Sequence, residues 1–365
     1  MAAYDEMRAR CPVAYSSYLK WSLFRHADIL RVLQDHAGFS SAVSVHMSVP
    51  NGMDPPAHTA YRRIIEPYFS PQRMQDFEPL CRRVAADLVG RLSAGGEVEL
   101  MGELAHEFAV RIQCAFLGWP DALHEPLRRW IRRNHEATLA GDRAAMTAVA
   151  LEFDGPVQAL LEARRREYAA ALDDITGSLM RERVGDRPLN EEEIVSILRN
   201  WTVGELGTIA SCIGILAHYL AEHPVLQRQL REQSALLPAA IDEMLRIHAP
   251  LIANRRITTR AVELDGRRIE AGERISLIWA SANRDETVFG NPDEFRLDRD
   301  PAPNLLYGAG IHICPGAPLA RLELRILVEE LLAGTREITP VPGKAPLKAV
   351  YPASGFTALP LRITR

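Results

Sequence analysis

Apolar positions recur at helical spacing along most of this chain, over 71–94, 100–117, 155–185, 191–223, 225–247 and 317–334. Hydrophobic residues at i, i+3, i+4 and i+7 fall on one face of a helix, so each stretch predicts a helix packed against a core. Strand-like runs are short: 20–24, 255–258, 262–264, 274–279 and 356–363. Asp265-Gly266, between two of them, is a hairpin signal. No repeat, low-complexity stretch or linker interrupts the pattern. It predicts one mainly helical domain over residues 1–365, with small β-sheets.

The 191–223 helix has the clearest ends. Asn190 followed by Glu193 is a capping-box pattern, and Pro224 stops the helix after His223. A run of about 33 residues spans about 50 Å at 1.5 Å per residue, so it must cross the core. Gly204, Gly207 and Gly214 lie inside it. Each costs up to about 1 kcal/mol against alanine. They serve either close helix packing or a groove in which a ligand meets bare backbone.

Composition narrows the class without naming the chemistry. The 365 residues are 47% hydrophobic and 25% charged, with ample length for a large core. A net charge of −4 gives no reason to expect nucleic acid or a membrane surface as partner. Five scattered cysteines make no disulfide framework. The N-terminus has no signal-peptide core, and no run reaches about 18 apolar residues. The expectation is a soluble, cytoplasmic monomer.

Chemistry concentrates in Tyr307-Gly308-Ala309-Gly310-Ile311-His312-Ile313-Cys314-Pro315-Gly316, directly before the last long helix. Glycines let backbone turn tightly and approach a flat cofactor. A cysteine before a helix start feels the positive end of the helix dipole, which favours the metal-binding thiolate. His312 and Cys314 could equally offer two zinc ligands, but zinc needs three or four. A buried inert thiol is the plain alternative, and fits Cys11, Cys81, Cys114 and Cys212.

This loop resembles the haem-ligating cysteine loop of cytochromes P450, and other segments agree. Glu243-Met244-Leu245-Arg246 is similar to the family's Glu-x-x-Arg. Ala282-Asn283-Arg284-Asp285 with Phe289, Pro292, Phe295 and Arg299 is similar to the signature that follows it. Asp54-Pro55-Pro56-Ala57-His58-Thr59-Ala60-Tyr61-Arg62 resembles the start of the family's C helix. The resemblance implies the P450 fold around haem b, with Cys314 on the iron and Tyr307 and Gly308 opening its loop. His58, Arg62, Arg256 and His312 then pair the haem propionates, which need cations if buried. Glu243 and Arg246 become structural.

Val203-Gly204-Glu205-Leu206-Gly207-Thr208 lies where the family places its oxygen-activation motif. Thr208 then matches the catalytic alcohol, and Gly207 stands where the acid belongs. Glu205, three residues before Thr208, replaces that acid, or water ordered by Thr208 suffices. Tyr307 replaces the usual Phe, so its hydroxyl needs a partner or solvent. Pro315 and Pro318 carry no N–H, leaving fewer donors for the sulfur.

By resemblance, Val203, Leu206, Gly207, Ile252, Ala253 and Phe356 line the distal pocket, roofed by Val43 and Met47 in a short 42–53 segment. No charged residue but Glu205 reaches in, which favours a neutral, mostly apolar substrate. The implied reaction is a monooxygenation with O2 and electrons from a ferredoxin or flavoprotein/iron–sulfur reductase. The donor would be steered to Arg321, Arg325, Arg82 and Arg83. A peroxide-driven or non-oxidative haem-thiolate enzyme is the alternative favoured by Gly207, and a haem sensor is a third. Pro50 to Pro56 and Gly204 to Thr208 look most like haem domains of self-sufficient P450–reductase fusions, although no reductase part is present.

Overall fold

The computed structural model describes residues 2–44, 46–92, 96–166, 174–351 and 353–365. Helix Glu191–Glu222 is its axis. The Asn190 side chain accepts from Glu193 N at 2.9 Å, and the Glu193 carboxylate accepts from Asn190 N at 2.8 Å. Both members of the capping box are therefore in place. The helix is long and apolar enough to cross a membrane, yet 19 of its 32 residues are buried. Helices His106–Leu117, Leu237–His248 and Ala317–Gly334 pack around it, and Ala317–Gly334 also lies along Pro71–Arg91. Their apolar faces make one large core that includes Leu104, Phe108, Ile213, Leu245 and Leu327.

Beside this helical body lies a five-stranded sheet in the order Val13–Ser16, Lys20–Leu23, Arg274–Leu277, Asn254–Thr258, Phe39–Ser40. It closes a second core of Leu23, Ile29, Phe39, Ile275 and Leu277. Glu337–Pro340, Pro360–Thr364 and Glu97–Glu99 form a three-stranded sheet. Val262–Leu264 and Arg267–Ile269 pair antiparallel across Asp265 and Gly266, which have φ of 47° and 70°. Two consecutive positive φ values are what the Asp-Gly pair supplies in a tight hairpin.

Three differences from the pattern reading have local causes. Residues 183–184 and 187–188 pair as strands instead of ending a helix, because Gly185 turns the chain at φ 58°. The part of the expected 155–185 helix over 167–173 lies outside the described residues. The 225–247 segment is two helices, Pro224–Glu232 and Leu237–His248, with a short turn at Ser234–Leu236 and Pro238 at the second start. Helix His124–Ala140 escaped notice, although Leu127, Trp130 and Ile131 give it an apolar face and Gly141 ends it at φ 64°.

Candidate active site

The cysteine loop is shaped by two glycines. Gly308 and Gly310 have φ of 74° and 69°, and a Cβ on Gly310 would sit 2.2 Å from the Leu33 carbonyl oxygen. Cys314 N donates to Tyr307 O at 2.8 Å, closing the loop ahead of helix Ala317–Gly334. The Cys314 side chain is exposed by area yet surrounded by protein at longer range, as befits a group lining an internal cleft. Burial pushes its thiol up, opposed by the backbone N–H groups of Gly316 and Ala317. In the free thiol, burial outweighs these groups. A coordinated metal removes the proton outright. The N–H groups of Gly316 and Ala317 lie near the sulfur despite Pro315 and Pro318. Tyr307 keeps its hydroxyl buried without a partner, while Arg321 stacks 4.4 Å from its ring centre.

Beside this loop four basic side chains converge. His58 and Arg62 lie one turn apart on helix Ala57–Ile65, Arg256 comes from strand Asn254–Thr258, and His312 from the loop. The His58 and His312 rings are 4.2 Å apart. Arg62 donates to Ile313 O at 2.8 Å, which ties the helix to the loop, and pairs with Glu66 at 3.1 Å. Arg256 donates to Arg255 O at 2.7 Å and forms no ion pair among the described residues. Nε2 of both histidines is buried without a partner among the described residues. Burial, then His58 and Arg256, holds His312 down at about 3. Burial, then Arg62, lowers His58, and burial lowers Arg256 to about 10. Unpartnered buried donors are costly. A ligand with two carboxylates, as haem has, fits this cluster.

The glycines of the long helix each have a different neighbour. A Cβ on Gly214 would meet Met101 Sδ at 2.6 Å, which is close packing. A Cβ on Gly204 would meet open space, which suits a flat ligand against bare backbone. At Gly207 the neighbour is His135, whose Nε2 lies 2.9 Å from the same position. Thr208 is half-buried, and its hydroxyl has no partner among the described residues. Glu205 faces Glu323 of helix Ala317–Gly334. Burial, and for Glu323 the neighbouring Glu205, pushes both carboxyls up, and among the described residues neither Glu323 oxygen has a hydrogen-bond partner. Glu205 is therefore turned towards the helix behind Cys314.

A cavity of about 510 Å³ opens beside Leu206 and Gly207. Of the pocket residues expected from the sequence, it is lined by Leu206, Gly207 and Phe356, and not by Val43, Met47, Val203, Ile252 or Ala253. The 42–53 segment is pinned elsewhere: Ser196 Oγ donates to Met47 O at 2.9 Å, and Asn200 Nδ2 to Val49 O at 2.9 Å. Met47 and Val203 remain 38% exposed. Ile252 and Ala253 pack with Phe24 and Ile278 under the sheet. His106, Arg128, Arg132 and His135 line the walls, so charged and polar groups do reach in. Three of these belong to the unrecognised helix.

Glu243 and Arg246 pair at 2.7 and 2.9 Å, and Arg299 adds a third contact at 2.8 Å. Arg246 also donates to Asn283 O and Pro292 O, tying its helix to the segment before the cysteine loop. Of the four arginines expected to steer a donor, Arg83 is exposed with no ion pair among the described residues, and the other three are paired. Arg82 and Arg325 bond Glu78, Glu329 and Glu330, and Arg321 bonds Asp242 at 3.0 Å. Two arginines against three glutamates leave no net positive field there. Among the described residues no cluster of three metal-ligating side chains exists, so the zinc alternative lacks partners.

One cysteine facing a long helix, beside buried bases suited to two carboxylates, defines a haem-thiolate protein. Comparison with known proteins agrees. The family model for Cytochrome P450 matches residues 123–348. The chain is 31% identical to the cyclomarin C epoxidase CymV of Salinispora arenicola, over 92% of this chain and 89% of that protein. It is 33% identical to the erythromycin C-12 hydroxylase of Saccharopolyspora erythraea, over 91% and 86%. A mutant of P450 EryK in complex with erythromycin B superposes with a TM-score of 0.90 at 30% identity, covering 100% of this chain and 96% of that one. CYP109E1 from Bacillus megaterium, in complex with testosterone, gives 0.88 at 27% identity, over 99% and 98%. The chain belongs to the cytochrome P450 family. It is a haem-thiolate monooxygenase of bacterial type, supplied with electrons from outside. The resemblance to fused haem domains finds no support, since these relatives have almost no length to spare for a reductase.

Proposed function

We propose that Cys314 ligates the iron of haem b, and that Arg62, Arg256, His58 and His312 hold its propionates. The observation that carries this reading is the pair of buried, partnerless Nε2 atoms beside an uncompensated Arg256, at the mouth of a loop that presents one open cysteine. When bound, the haem supplies O2 activation, with electron push from the thiolate. The chain's residues do the rest. Gly204 leaves backbone bare for the flat face, Thr208 holds water by its hydroxyl, and Tyr307 and Gly308 frame the loop. Leu206 and Phe356 exclude water from the apolar part of the cavity.

The substrate is a small organic molecule, largely apolar, with polar groups matching His106 and the arginines of the wall. A steroid or macrolide of the kinds named for CYP109E1 and EryK has the largely apolar body with polar substituents that suits this lining. Electrons come from a ferredoxin or a flavoprotein/iron–sulfur reductase. The whole chain works as one haem domain, a cytoplasmic monomer.

Cys314 is the point of test. The reduced carbon monoxide complex should show the red-shifted Soret band that names the family, because thiolate donation from Cys314 would produce it. Cys314→Ala should abolish that band, and Cys314→His should bind haem, if at all, without it. Retention of the band in Cys314→Ala would remove the assignment. Titration with testosterone and erythromycin, read as type I spectral shifts, tests the substrate class.

A further inference from the structure

The cavity holds two imidazoles to which neither the sequence pattern nor the family motifs gave a role. His135, on helix His124–Ala140, stands against the long helix at Gly207. A methyl group there would lie 2.9 Å from Nε2 and 3.1 Å from Cε1 of the ring. Only glycine at 207 admits the imidazole in this place, one residue before Thr208. His106 lines the same cavity, within electrostatic reach of His135. Both rings are open to the cavity and surrounded by protein beyond it, and burial lowers both. Neither hydrogen-bonds protein among the described residues, so each keeps one N–H and one acceptor nitrogen for water or a ligand.

Inserting one oxygen atom of O2 and releasing the other as water consumes two protons and two electrons. The external donor supplies the electrons, and the protons must enter from solvent. Glu205, the acid expected to carry them, is buried against Glu323 and does not line the cavity. On the cavity side, the titratable group against Gly207, the residue before Thr208, is His135. The titratable and charged groups that line the cavity with it are Glu125, Arg128, Arg132 and Glu136 of its own helix, His106 across the cavity, and Tyr351 of the C-terminal segment. The long helix presents no charge there. Imidazole is the side chain whose unperturbed charge change lies nearest neutral pH.

We propose that His135 is the proton-transfer residue of the distal cavity, occupying the space that Gly207 clears. It takes a proton from cavity water on one ring nitrogen and gives one from the other to water held by the Thr208 hydroxyl. The ring returns to neutral, and two such transfers serve one turnover. A residue at 207 without a side chain is then no sign of a peroxide-driven enzyme, because the proton carrier comes from another helix.

The proposal rests on the haem-thiolate reading, whose failure would show as a missing carbon monoxide band in the wild type. The test uses the haem-loaded protein and the steroid or macrolide that gives the largest type I shift. In the diamagnetic ferrous carbon monoxide form, the histidine NMR signal lost in His135→Phe should titrate below the ordinary value of about 6.5. Gly207→Ala, which displaces the ring, should move that signal and raise its midpoint. In NADH-driven turnover, His135→Phe should lower product formation on the order of 10²-fold, with electrons diverted to peroxide. Iodosylbenzene donates an oxygen atom without protons, so turnover driven by it should be unchanged. Gly207→Asp combined with His135→Ala should restore coupling. A His135 signal indifferent to Gly207→Ala, or full coupling in His135→Phe, overturns the proposal. So does an equal loss with iodosylbenzene, which would make His135 a substrate-binding group only.

Discussion

At the scale of single residues, the cysteine loop separates two costs that glycine avoids. Gly308 and Gly310 both have positive φ, but their surroundings differ. An added Cβ at 308 would meet Trp279 at 3.6 Å, ordinary contact, whereas at 310 it would meet Leu33 O at 2.2 Å. Gly308→Ala should therefore carry only the conformational penalty of about 1–2 kcal/mol. Gly310→Ala must also move the helix that carries Leu33. Urea unfolding midpoints of the two variants should differ clearly, with Gly310→Ala the lower and poorer in bound haem. Equal midpoints would mean the loop shifts freely. The position of this loop and its single cysteine could be read from ten consecutive residues, since the glycines and Cys314 act through local backbone geometry. The free thiol's direction could not, because burial by distant segments sets it.

Helices and the segments between them are held by a few buried charges. Glu243 sits between Arg246 and Arg299, and burial disfavours its charge while the two guanidiniums more than compensate and hold it below its ordinary range. Arg246→Ala or Glu243→Ala strands the partner, at about 3–5 kcal/mol, and should yield little haem-loaded protein. Normal haem content and melting temperature would contradict this. The start of the long helix carries a second such site. Arg187, against burial, and then Tyr61 and Asn190 N hold Glu193 at about 2, below its ordinary 4.5. A depressed folded value contributes stability above about 4.5 that fades as pH falls towards about 2. Urea midpoints measured at pH 7 and pH 3 should fall more for the wild type than for Glu193→Gln. A parallel fall in both would place the acid sensitivity elsewhere. The capping box was legible because its partners are three residues apart; Arg187 and Tyr61 were not, because a strand turn and a separate helix bring them in.

For the whole molecule, charge is distributed differently from what helix spacing implied. Arg321 and Arg325 lie one turn apart behind Cys314, but Asp242, Glu78 and Glu329 neutralise them. Reversing both to Glu should lower the melting temperature by leaving those carboxylates without partners. The salt dependence of reduction by an acidic ferredoxin should be unchanged. A collapse of that rate at constant melting temperature would restore this face as the docking site.

What the sequence determined alone was what depends on near neighbours: the helical periods, the long axis with its cap and its stop at Pro224, the hairpin at Asp265-Gly266, and the motifs that place Cys314, Glu243 and the basic residues. What the tertiary structure decided was which side chains meet across long separations. Glu205 meets Glu323 instead of the cavity, the 42–53 segment binds the first half of the long helix instead of roofing a pocket, and His135 reaches Gly207 from 72 positions away. The physical reason is the same in each case. Spacing along one element fixes the face a residue occupies, but the partner of that face is set by how whole elements pack.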